Sequence, residues 1–165
     1  MSGFQNFFLI IHLVAAAVGV GSITLAEVLY FKFKMMIGGQ ANPARNSLFR
    51  LIFIVERVSL MVLIVSGIAL ISLGGKDFLE DQKLLAKLAI LIILLFDSRG
   101  WQSNHVPIPL WSAVSLTSWY MTFILGAWRT LDISFGTAML SYVVTLTFVF
   151  MGLNLIRKSL GIKTF

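Results

Sequence analysis

Cysteine is missing from the 165 residues, and charge is scarce: 12% of the chain, with only 7 acidic side chains and 2 histidines. Without cysteine there are no disulfides, no thiolate metal sites and no dithiol redox chemistry. Soluble domains carry about 25% charged residues. A chain that is 58% hydrophobic, with a mean hydropathy of +0.93, lacks the polar surface to cover itself in water. The formal charge of +6 is modest; it reads as charge at a membrane surface and implies no nucleic acid. Also missing are a phosphate-cradling glycine loop, a metal cluster with ligand spacing and a nucleophile elbow. The residues by themselves therefore name no enzymatic activity. The amino end reads as a first span and not as a cleavable signal, because no basic region precedes the apolar run and the run is too long.

What is present is a set of long apolar runs. The first, from Phe7 to Phe31, can cross a hydrocarbon layer of roughly 30 Å as a helix. The pattern predicts one all-α domain, 1–165, a polytopic transmembrane bundle of five spans with four as the alternative. The spans lie at about 4–33, 48–73, 82–101, 110–128 and 135–156. Gly38, Gly39 and Pro43 mark the first turn, and Asn46 or Ser47 is the expected N-cap of the second span. Gly74 to Asp81 form a mixed-charge loop, and Pro107 and Pro109 set a non-helical approach to the fourth span. In span one, Ala15, Gly19, Ser22 and Ala26 recur at steps of four, three and four. They form one smooth face that allows close helix approach in lipid. In span four, Ser115, Ser118 and Thr122, with Trp119 beside them, form a polar seam. Expected partners are the lipid bilayer and other helices, including a second copy in a homo-oligomer.

Lysine and arginine decide orientation. Lys32, Lys34, Arg45 and Arg50 in the first loop share a side with Arg157, Lys158 and Lys163 in the tail. Five spans with that side cytoplasmic put the N-terminus out and the C-terminus in, as expected for a multi-pass protein of the plasma (inner) membrane. Ionisable groups inside spans are expensive and mark functional sites by default. His12 falls about two turns, and Lys87 about one turn, from the outer end, so the two can meet. Glu27, Glu56, Arg57, Asp97 and Arg99 fall in the inner half as a candidate charge network. His105 is a loop histidine at the opposite end from His12, which disfavours bis-histidine ligation of one haem within the chain.

His12 in IIHLVAAAVGVGS, Arg57 and Gly67 in ERVSLMVLIVSGIALI, and Lys87 in LLAKLAILIILLFDSRG form a succession that resembles the HemJ-type protoporphyrinogen oxidases and the CopD-like small integral membrane proteins. The resemblance covers about residues 8–99. It implies haem b and membrane redox chemistry, with His12 as the metal ligand and cofactor-binding residue and Lys87 as a cofactor-binding and catalytic residue. Glu56 and Arg57 are further catalytic candidates. Asp97 stands where those proteins have a second histidine, and their tryptophan-rich first span has no counterpart here. Two other functions fit the same residues. One is a proton-coupled transporter or channel that uses Glu27, Glu56 and Asp97. The other is a non-enzymatic subunit or assembly factor of a larger membrane complex.

Overall fold

The apolar runs fold as five α-helices in the computed structural model, which describes residues 3–37, 43–74, 81–100, 108–128 and 133–161. They are α1 Gly3–Ile37, α2 Pro43–Gly74, α3 Gln82–Gly100, α4 Ile108–Ala127 and α5 Phe135–Ser159. Among the described residues there is no strand, so the chain is all-helical. Among the described residues, three stretches are long and apolar enough to cross a membrane: Gly3–Phe33 in α1, Asn46–Gly74 in α2 and Phe135–Ser159 in α5. At ~1.5 Å per residue each exceeds the roughly 30 Å of a hydrocarbon core. The helices α3 and α4, with 19 and 20 residues, are close to that thickness.

Local chemistry sets the helix ends. Pro43 stands in the first turn of α2, where a missing N–H leaves no hydrogen bond unmade. The helix therefore begins about one turn before the N-cap expected at Asn46 or Ser47. Pro109 sits in the first turn of α4 for the same reason, so it is part of the helix and not of its approach. Asp81 starts α3, with Oδ1 accepting the Leu84 N–H at 3.1 Å. Ser134 caps α5 by accepting the Thr137 N–H at 3.2 Å. Gln82 Oε1 accepts the Phe135 N–H at 3.1 Å, tying the starts of α3 and α5 together. Gly161, at φ +67, ends α5 in the left-handed conformation that glycine takes without strain. Both α1 and α5 run about one turn beyond the ends expected for them. The turn readings at Gly38 and Gly39, at 75–80, at His105 and Pro107, and the Arg99 side chain lie outside the described residues.

Successive helices run in opposite directions. Gln5 meets Leu73 and Phe33 meets Phe49, so α1 and α2 are antiparallel. Lys83 donates to the Trp128 carbonyl and Ser115 donates to Asp97, so α3 and α4 are antiparallel. Ser118 pairs with Tyr142 and Ser112 with Arg157, which fixes α5 against α4 in the same way. The hub is α4, which packs on α1, α3 and α5, while α1 also packs on α2. The four small residues of α1 are all buried, as their spacing implies.

Burial is inverted relative to a soluble protein. Phe7, Val14, Met61, Val65, Ile68, Leu140, Phe148 and Leu155 face outward. Ser59, Ser66, Asp97, Ser112, Ser115, Ser118, Thr122 and Arg157 are buried. Lipid explains the pattern: an apolar exterior costs nothing there, while polar groups must find partners inside the bundle.

Candidate functional site

The polar residues of α4 form one stripe that reaches the other helices. Residues 112, 115, 118, 119 and 122 fall on one side of a 3.6-residue helix, and between them they meet α3, α5, α2 and α1. Ser115 donates to the Asp97 carboxylate of α3. Ser118 Oγ lies 2.9 Å from Tyr142 Oη of α5. Trp119 Nε1 donates to Glu56 Oε1 of α2 at 3.0 Å. The Trp119 ring is 1% exposed and rests on α1 at Gly19, where a Cβ would overlap its Cζ3, Cη2 and Cε3 atoms. The two carboxylates, Asp97 on α3 and Glu56 on α2, are thus held by α4 side chains four residues apart, Ser115 and Trp119. Thr122 continues the stripe with a buried hydroxyl that has no protein partner.

His12 lies in the seam between α1 and α2, about seven residues from Gly19 and so about two turns away along α1. Its Nδ1 is 2.9 Å from Ser66 Oγ. The Ser66 hydroxyl spends its single proton on the Val62 carbonyl at 2.6 Å. It can therefore serve as the acceptor for a proton on His12 Nδ1. Gly67 closes the other side, with a Cβ position 3.4 Å from His12 Cε1. Lys87 lies half-buried on α3, and Arg57 lies on the exposed side of α2.

The expected inner charge network divides into two. Glu56 and Asp97 belong to the α4 belt. Glu27 belongs instead to a separate cluster near the end of α5, where Arg157 Nη2 donates to Glu27 Oε1 at 2.8 Å and to Ser112 Oγ at 3.1 Å. The Arg157 guanidinium also lies 5.4 Å from the Tyr30 ring centre and 5.7 Å from that of Phe31. Sequence reasoning assigned Arg157 to a surface tail. The helix runs past its expected end at 156 to Ser159, and Arg157 is buried as part of it. Tyr142 and Trp119 were likewise missed as carboxylate-belt members, although Trp119 stood beside the polar seam.

Fit to a metal or a haem rests on His12. Among the described residues no group of three or more histidine, aspartate and glutamate side chains could hold a metal ion. One imidazole oriented through its Nδ1 hydrogen bond is nevertheless the usual arrangement for a single axial ligand. Comparison with family models, with curated proteins and with solved structures finds no match.

Proposed function

We propose that this chain is a multi-pass membrane protein that moves protons, alone or coupled to a solute, through the buried belt around α4. The observation that carries this reading is that two carboxylates on different helices, Asp97 and Glu56, are each hydrogen-bonded by α4, through Ser115 and Trp119 about one turn apart, in a bundle with an apolar exterior. Carboxylates inside a bundle are costly and mark functional sites by default, and chains of carboxyl and hydroxyl groups are the usual proton relays of membrane proteins. The hydroxyls of Ser115, Ser118, Tyr142 and Thr122 provide sites that accept and donate a proton in turn.

The topology that goes with this function has five spans, with the N-terminus out, the C-terminus in, and the plasma (inner) membrane as the host. It is supported by the alternation of the five helices and by the basic residues gathered at one end. Lipid is the first partner; a second copy of the chain is a further one. The test is proton flux into liposomes loaded with a pH-sensitive dye under an imposed potential. The expected result is flux that Glu56→Gln and Asp97→Asn each abolish. Absence of flux in the unsubstituted protein refutes the reading.

Haem b at His12 is the second reading, favoured by the Ser66 bond that orients the ring through Nδ1. His12 would hold the iron, and Lys87 would pair with a propionate. Bound haem would supply one-electron redox chemistry. The purified protein would then show a Soret band that disappears in His12→Ala.

A further inference from the structure

We propose that Trp119 is the positioning residue for Glu56, and that Gly19 is the opening in α1 that lets it act. The inference rests on the proton-pathway reading for its functional meaning, but its structural part stands separately. The helix α1 packs against both α2 and α4, and the α4 side chain that reaches α2 lies against it on the way. It does so at Gly19, where the missing side chain leaves room for the indole ring and a Cβ would occupy the positions of three ring carbons.

At the end of that passage, Trp119 Nε1 meets Glu56 Oε1 at 3.0 Å. An N–H donated to a carboxylate is a charge-assisted bond, stronger than a neutral one. The indole N–H can only donate, so it holds the carboxylate oxygen whatever the state of the belt, and it neither takes nor gives a proton itself. The residues beside Gly19 on the same face of α1, Ala15 and Ser22, are small and buried as well. They let α1 lie close without blocking the ring. A shift of α1 against α4 would press on the indole first, so the position of α1 governs where the Glu56 carboxylate sits.

Infrared difference spectroscopy on the full chain in lipid tests this. Acidification produces a carboxyl C=O band of Glu56, identified by its loss in Glu56→Gln. The expected result is that Trp119→Phe and Gly19→Ala both move this band, because each removes or displaces the same donor. Proton flux falls about tenfold in each, the worth of one hydrogen bond to a charged group. A band that stays in place in both variants overturns the positioning role, even if Glu56→Gln abolishes flux. A band that moves while Glu56→Gln retains flux leaves the positioning role intact and removes the pathway reading. If neither variant folds, a chain with W101F, W111F and W128F keeps Trp119 as its only indole. Its N–H resonance then titrates together with the Glu56 band, and a resonance that does not respond to Glu56→Gln overturns the inference.

Discussion

The Arg157–Glu27 pair offers the sharpest quantitative test of the fold. The guanidinium is 1% exposed and the carboxylate 12%, so neither charge can be left to water if its partner is removed. Breaking a buried pair costs about 3–5 kcal/mol, because the remaining charge is uncompensated. In Glu27→Leu the arginine keeps Ser112 at 3.1 Å and the rings of Tyr30 and Phe31. A bond to a charged group and ring contacts of this kind are each worth about 1–3 kcal/mol. The loss should therefore fall at the lower end, ~3 kcal/mol, or roughly two orders of magnitude in the folded population. Arg157→Met should cost a similar amount, because it leaves the Glu27 carboxylate without its partner. The double variant E27L/R157M places two apolar side chains of fitting volume together and should lie within ~1 kcal/mol of the unsubstituted chain, because apolar replacement of a buried pair is often neutral or better. Reversible unfolding in mixed micelles, followed by circular dichroism, measures all four species. A coupling energy of at least ~2 kcal/mol is expected. Additive single effects, or single losses below ~1 kcal/mol, would show that the pair does not hold α5 to α1.

Two glycines spaced by one residue should behave oppositely. Gly19→Ala meets the Trp119 ring and should cost about 1–3 kcal/mol through overpacking. At Gly21 a Cβ meets nothing within 4 Å, so Gly21→Ala should be neutral or stabilise by about 0.5–1 kcal/mol through the helix preference of alanine; the same unfolding assay reads both. Ser66→Ala removes the acceptor for His12 Nδ1–H and should cost about 1–3 kcal/mol for the buried donor left without a partner, whereas Ser72→Ala, which loses only an exposed bond to its own helix, should change stability by less than ~0.5 kcal/mol. The absence of cysteine makes orientation directly testable: a cysteine at Gly3 should react with an impermeant thiol reagent added outside the cell, and one at Ser159 should react only after lysis. The reverse pattern would invert the proposed topology.

Particular residues show how far reading the sequence could go. Apolar run length and the step pattern of Ala15, Gly19, Ser22 and Ala26 were enough to give helices and the packing face of α1, because both follow from the 1.5 Å rise and the 3.6-residue turn of one helix. The same periodicity marked Ser115, Ser118 and Thr122 as one seam. Depth along each span put Glu56 and Asp97 in the same half of the bundle, where α4 holds both through side chains about one turn apart.

Azimuth was beyond that reasoning. Whether Glu27 faces Glu56 or Arg157 depends on how each helix is rotated and on which helices are neighbours, and no local pattern carries that information. The amino-acid sequence by itself determined an all-helical chain with apolar exteriors, and it identified which side chains were too polar to face lipid. Only the tertiary structure decided that α4 is the hub, that Trp119 crosses α1 at Gly19 to reach Glu56, and that Arg157 turns inward to Glu27. Those pairings arise from the mutual rotation of packed helices, which is fixed when all the faces are buried together and not by any one of them alone.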